Sequence, residues 1–452
     1  MNRHPHVPVE RALSTAQLVL CGFSAIIVVG TAFLSLDVCH RGGSHALVDD
    51  LFTATSAVCV TGLMPFDLAT RFSLIGQIGV LILIQLGGLG YMTLYTLSML
   101  LVGRRLSLRD RLSLREATGQ PTLGGLVGYV RGIVIMDLVA ESAGFVLLAT
   151  QTVPEVGWGR GLYQALFYAV CAPNNAAFSL RPDGVAHWSG NAVFLLTLAA
   201  LTILGGLGYN VVHELIRRLR RHEADPRWNA LISIVLGLSG FLLVSTTCAL
   251  WGFEHANPRT LGPLGPVQQW LNAFFMAVQP RTSGFNSIDT GSMSPASLFL
   301  MIPLMFVGTG PGGTGGGIKL TTVAILTAAV WAIVREQEDV NLPRLKRRVS
   351  DISVRKALTL LCLSLAVVAT ASFAIVAIEP LPPLAVLFEV VSAFGTVGLS
   401  MGITPHLSVA SKVVLIAVLL IGRIGPVMVV AAFWAPRRRT AFRYAEEPLM
   451  VG

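Results

Sequence analysis

The chain has 452 residues, 53% of them hydrophobic and 13% charged, with a mean hydropathy of +0.69. A soluble globule has too much surface to carry so little polar cover, so that class is excluded. The net charge of +9 does not point to nucleic acid, because the basic residues fall in clusters at 104–115, 217–227, 335–356 and 437–443. Each follows a long apolar stretch, which is how the positive-inside rule marks cytoplasmic loops.

The first apolar run, 16–36, is longer than a signal-peptide core and lacks a convincing cleavage site, so a membrane span is expected there. It opens a pattern that recurs along the chain. A spanning helix (16–36) is followed by a half-length apolar segment (47–57), a small-residue turn (58–63) and a second long helix (72–102). The same order returns at 127–150, 162–172, 173–180 and 192–215, and again at 230–251, 267–278, 279–286 and 298–334. It closes with 358–378, 384–393, 394–400 and 409–434. The repeats are bounded at 12–103, 125–218, 228–335 and 354–436, with a tail at 437–452. Segments of about ten residues are too short to cross roughly 30 Å of hydrocarbon and read as re-entrant half-helices. Non-helical backbone at that depth survives only in protein or beside water, so the four turns imply one shared aqueous path. The expected fold is an all-α polytopic membrane protein with four helix–re-entrant half-helix–filter–helix repeats around a pseudo-four-fold pore. Paired long helices return both termini to the cytoplasmic side of the cell inner (plasma) membrane.

The connections on the other side carry Asp49, Asp50, Asp67, Glu155, Asp183, Glu254, Asp289 and Glu379. Outer acids concentrate cations, although screening limits their reach to about 8–10 Å; ordinary solvated loops read the same way. The six cysteines show no metal-ligand spacing, and no His/Asp/Glu or Cys/His constellation points to an enzyme or a bound cofactor.

The four turns carry Val60, Thr61 and Gly62; Asn175, Ala176 and Ala177; Thr282, Ser283 and Gly284; and Thr396, Val397 and Gly398. Backbone carbonyls must turn inward to replace an ion's water shell, and glycine permits the positive φ this needs. The turns hold no carboxylate, which fits a monovalent ion better than a divalent one. The expected site is therefore a monovalent-cation filter taking K+, with Na+ as a second candidate. A secondary transporter binding a small solute at broken helices is the alternative, but it predicts two inverted repeats with one pocket.

Residues 308–317 hold seven glycines and a proline inside the second long helix of repeat three. Each glycine costs a helix about 1 kcal/mol and proline about 3, so a loop is expected at membrane depth. Gly312, Gly313, Thr314, Gly315, Gly316 and Gly317 are its candidate gating residues, with Lys319 and Arg423 beside it. Lys319 has snorkelling to the inner interface as its alternative. Gly308-x-Gly310-x-x-Gly313 matches a dinucleotide fingerprint only formally, because no strand precedes it. Asp137 and Glu141, four apart on one helical face, read either as a relay or as partners for neighbouring helices. Gln85 and the repeated Gly-Gly-Leu-Gly runs at 87–90 and 205–208 read as structural, allowing close helix packing.

The segments LFTATSAVCVTGL, QLGGLGYMTL, NNAAF, ILGGLGY, QPRTSGFN, GPGGTGGGIKLTT, LFEVVSAFGTVGLSMGITP and IGRIGP together sample every repeat. On these the chain resembles the Trk/Ktr/HKT superfamily of potassium transporters. Within it, the early start of the first filter repeat is most similar to KtrB-like pore subunits of bacterial Ktr systems. The resemblance implies potassium uptake, a homodimer, and a cytosolic nucleotide-binding regulatory subunit of the KtrA/TrkA type. It also implies that Arg423 faces the ion path near the gating loop. The chain departs from the pattern at Ala177, where the resembling family carries glycine. If Ala177 adopts positive φ, strain of about 1–2 kcal/mol is expected there, and selectivity against sodium is expected to weaken.

Overall fold

The computed structural model describes residues 14–42, 46–90, 126–219, 229–342 and 347–433, together with the backbone but not the side chains of 126 and 127. The basic cluster at 104–115, most of that at 217–227, Arg344 and Lys346 of the third, and the tail at 437–452 lie outside the described residues, as does the part of the second helix of repeat one beyond residue 90.

Repeat one comprises α1 (Thr15–Leu34), the half-helix α2 (Leu47–Val58) and α3 (Leu74–Leu89). Repeat two comprises α4 (Leu126–Val156), α5 (Trp158–Asn174), α6 (Ala192–Leu207) and α7 (Tyr209–Leu219). Repeat three comprises α8 (Asn229–Glu254), α9 (Pro266–Val278), α10 (Pro295–Phe306) and α11 (Leu320–Val334). Repeat four comprises α12 (Asp351–Ile378), α13 (Pro383–Gly395), α14 (Val409–Ile424) and α15 (Pro426–Phe433). A minute hairpin, Asn341–Leu342 with Arg347–Arg348, is the one sheet among the described residues.

Four helices, α1, α4, α8 and α12, are long and apolar enough to cross a membrane unaided. They expose large apolar side chains such as Val28, Val139, Phe241 and Phe373, as a lipid-facing surface requires. The second helix of each repeat starts at a side-chain cap. Ser73, Asn191, Ser294 and Ser408 accept from the backbone N–H groups of Gly76, Phe194, Ser297 and Ser411. These caps satisfy donors that a helix start leaves orphaned.

The second helices of repeats two, three and four are interrupted within their described length. The interruption in repeat three matches the expected glycine-rich loop. The Gly-Gly-Leu-Gly runs do more than permit packing: Gly90, Gly208 and Gly425 take φ of 76°, 86° and 94° and end α3, α6 and α14. Only glycine adopts that backbone cheaply. The axis turns by 103° between α6 and α7 and by 99° between α14 and α15. Three residues earlier in each run, Gly87, Gly205 and Gly422 press on the carbonyls of Val58, Pro173 and Phe394. A Cβ on them would come within 2.0, 1.9 and 2.0 Å of those oxygens.

The half-helices are buried, and each packs on its own repeat and on the second helix of the preceding one. Thus α2 lies against α14, α5 against α3, α9 against α6 and α13 against α10, an order that closes on itself. The hydroxyls of Thr53 and Thr55, buried in α2, are satisfied by the carbonyls four residues back, Asp49 O at 2.8 Å and Leu51 O at 2.7 Å. Two of the acids read as outer-loop charges are in fact buried. Asp50 faces His40 at 3.5 Å, and Glu254 accepts from Thr260, Asn257, Ser294 and Ser297.

Candidate functional site

The four turns meet. Val60, Asn175, Thr282 and Thr396 have φ of 57°, 59°, 77° and 50°, and each stands two residues before Gly62, Ala177, Gly284 or Gly398. A left-handed non-glycine residue is strained, and its return at equivalent places marks one backbone design used four times. Gly62, Gly284 and Gly398 then take φ of 98°, 71° and 97°.

Repeat two differs, and not in the way expected. Ala177 does not adopt positive φ, so the predicted backbone strain is absent. Its methyl does not point away either. A Cβ placed on Gly62, Gly284 or Gly398 would come within 2.5, 2.8 or 2.5 Å of the Ala177 Cβ, so the methyl sits where the turns converge. Ala177 N–H donates across to Thr61 O at 3.3 Å.

A further difference lies six residues upstream. In repeats one and four, Ser56 Oγ and Ser392 Oγ accept from Gly62 N–H (3.0 Å) and Gly398 N–H (3.1 Å). In repeat three, Gln279 Oε1 accepts from Phe285 N–H at 3.1 Å. The corresponding residue of repeat two is Cys171, whose thiol is a poor acceptor. Side chains also hold the turns: the Asn175 amide bonds the Thr282 hydroxyl of the next turn at 3.1 Å, and the Ser283 hydroxyl bonds that of Thr202 on α6 at 3.0 Å.

The glycine-rich loop lies directly beneath. A Cβ on Gly315 would fall 2.0 Å from Thr282 Oγ1, and one on Gly316 would fall 2.7 Å from the Thr396 side chain. Gly316 N–H donates to Thr396 Oγ1 at 2.8 Å, and Thr314 Oγ1 donates to Pro173 O at 3.2 Å. From α6, Gly206 O and Gly205 O accept from Gly310 N–H and Thr314 N–H at 3.0 and 3.2 Å. Gly312, with φ of 77°, is exposed, and Gly317, with φ of 66°, lies against Gly308.

Arg423 donates to Thr314 O in the loop and to Gly87 O on α3. Lys319 Nζ donates to Gly315 O, so it stays with the loop and does not snorkel. Arg423, Lys319 and residues 312–315 line a cavity of about 400 Å³ on the loop's far side from the turns, together with Gly88, Asp137, Asn174 and Tyr209. The glycines of α3 and α6 that hold the loop were read from the sequence only as packing residues. Their signal was the shared spacing of Gly87/Gly90, Gly205/Gly208 and Gly422/Gly425.

Spanning helices, buried half-helices and converging strained turns define a membrane-embedded protein of the ion-conducting re-entrant type rather than an enzyme. The chain belongs to the TrkH cation transport protein family, whose model matches residues 8–440. It is 37% identical to the Ktr system potassium uptake protein B of Bacillus subtilis, over 96% of both chains. It is 38% identical to the protein of the same name from Vibrio alginolyticus, over 96% of this chain and 94% of that one. The potassium/sodium uptake protein NtpJ of Enterococcus hirae is 34% identical over 98% of each. In fold the chain is similar to the crystal structure of the potassium transporter TrkH from Vibrio parahaemolyticus. The TM-score is 0.75 at 15% identity, covering 96% of this chain and 87% of that one.

Proposed function

We propose that this protein takes up K+, with Na+ as a second permeant ion, through the ring formed by its four turns. The observation that carries the proposal is the convergence of those turns, each built on one left-handed residue, directly over a glycine-rich loop. Carbonyls of Val60, Thr61, Asn175, Ala176, Thr282, Ser283, Thr396 and Val397 are the ion's ligands, and Gly62, Ala177, Gly284 and Gly398 set the ring's width. The cyclic packing of half-helices supports a pseudo-four-fold axis through that ring. The repeats at 12–103, 125–218, 228–335 and 354–436 are its four quadrants. Sodium is included because the Ala177 methyl breaks the ring's symmetry and because one relative is named for both ions.

Residues 312–317 act as the gate, held shut by Lys319 and Arg423, and Arg423 adds a positive barrier on the ion path. Two relatives are named as parts of a Ktr system, which supports a cytosolic nucleotide-binding regulatory partner of the KtrA/TrkA type and a homodimer of this chain. The protein sits in the inner (plasma) membrane with both termini cytoplasmic, in accord with its basic clusters. Rubidium uptake into proteoliposomes tests the proposal. Uptake competed by potassium is expected, and transport of an organic solute without any alkali-cation flux overturns it.

A further inference from the structure

Beside the end of α5 the membrane core holds two carboxylates with no matching cation. Asp137 and Glu141 lie one turn apart on α4, where they meet Gln85 of α3 and Asn174, the last residue of α5. Gln85 Nε2 donates to Asp137 Oδ2 at 2.8 Å. Asn174 Nδ2 donates to Gln85 Oε1 at 2.8 Å, to Val170 O at 2.9 Å and to Glu141 Oε1 at 3.4 Å.

The two amide NH2 groups are the donors of this network, and its carboxylate, amide and carbonyl oxygens outnumber their hydrogens. Asn174 Oδ1 shows the shortfall. The residue is 1% exposed, yet this oxygen has no donor. It lies in the space left by the missing side chain of Gly88, where a Cβ would come within 1.7 Å of it. Asn174, Asp137 and Gly88 all line the 400 Å³ cavity.

The cationic side chains on that cavity, Lys319 and Arg423, donate to the carbonyls of Gly315, Thr314 and Gly87. Among the described residues, no Lys, Arg or His forms an ion pair with either acid. The other titratable groups nearby, Cys171, Tyr129 and Tyr209, are neutral in their ordinary state and supply no charge. Asp137 is 9% exposed and Glu141 half-buried, and two adjacent carboxylates so placed do not both stay ionised without a proton or a cation between them.

We propose that Asp137, Glu141 and Asn174 Oδ1 form a binding site for one monovalent alkali cation on the inner side of the turns, filled in exchange for a proton. The cation enters from the cavity, the proton shared by the carboxyls leaves to cavity water, and the net charge of the site is unchanged. The site stands whether or not the four turns are the filter, and its test is separate from flux.

The test uses the full-length protein in detergent at low buffer strength with a pH-indicator dye. Carbonyls bind cations without losing protons, so filter occupancy is silent in this assay, whereas occupancy of a carboxyl site releases protons. Sodium or potassium chloride is expected to release about one proton per chain, and choline chloride none. Asp137→Asn and Glu141→Gln, singly and together, are expected to suppress that release while the protein stays monodisperse. If the double variant does not stay folded, the single variants decide. Release from the wild type no greater than with choline overturns the proposal, as does release that both single variants retain.

Discussion

Replacing Ala177 by glycine probes the one corner of the ring that breaks its symmetry. The methyl lies where the other three turns place only glycine, and Ala177 N–H donates to the Thr61 carbonyl at 3.3 Å, competing with an ion for that oxygen. Glycine keeps the N–H but can take the positive φ of the other turns, which turns it from Thr61 and gives up a hydrogen bond worth about 0.5–1.5 kcal/mol. Transferred to an ion that fits the ring, the same energy amounts to about a two- to tenfold change in relative affinity. Ala177→Gly is therefore expected to raise the preference for potassium over sodium by about that factor. Cys171→Ser, which restores the hydroxyl found at Ser56 and Ser392, is expected to add to the gain. Gly398→Ala works in the opposite sense, since its Cβ would lie 2.1 Å from Thr61 O at a φ of 97°. The assay is competition of sodium against rubidium uptake in proteoliposomes, with wild type and each variant at matched protein density. If Ala177→Gly leaves the ratio unchanged while Gly398→Ala collapses it, repeat two tolerates its methyl and the reasoning fails.

Deleting residues 312–317 removes the contacts of the loop with Thr396 and Gly205 and is expected to raise rubidium flux and weaken dependence on a cytosolic regulator. Arg423→Ala should push the same way, and unchanged or lower flux in a stably folded deletion would make the segment scaffold. Lys412 on α14 donates to Asp49 on α2 at 2.7 Å, with side chains only 11% and 19% exposed. Charge-assisted bonds are worth about 1.5–3 kcal/mol, so Lys412→Met is expected to lower the melting temperature in detergent, and adding Asp49→Asn to recover part of the loss. At the C-terminal end of α12, hydrogen bonds from Ser408 and then Ser411 hold the Glu379 carboxyl below its usual range. A depressed carboxylate contributes stability above its unfolded pKa of about 4.3 and loses it as pH falls through the folded value. Glu379→Gln should therefore flatten the acid limb of a melting-temperature profile; an unchanged limb removes this residue from the account.

The repeat pattern was legible because length alone separates a ten-residue half-helix from a span, and because the same small residues return after each one. The loop at 308–317 was legible for an equally local reason, its seven glycines and proline. The breaks at Gly90, Gly208 and Gly425 were not, since an isolated glycine in an apolar helix reads the same whether it packs or bends; only their shared spacing carried the message. Ala177 was singled out for a positive φ that it does not adopt. What the turn does instead is pair its backbone N–H with the Thr61 carbonyl of another repeat. Cross-repeat partners of this kind depend on three-dimensional neighbours that no local window contains. Asp50 and Glu254 were misplaced for the same reason: polar partners from distant segments, such as His40 and Ser297, let an acid be buried.

Arg423 belongs to repeat four, yet its two amino groups hold a carbonyl of repeat three and a carbonyl of repeat one. That makes it a three-way coupling rather than a latch on a single loop. A displacement of α14 at its bend must carry Thr314 and the end of α3 with it, or leave a guanidinium without acceptors in a dry interior, which is costly. On the gate proposed above, any movement of the loop is tied through this one side chain to three repeats at once.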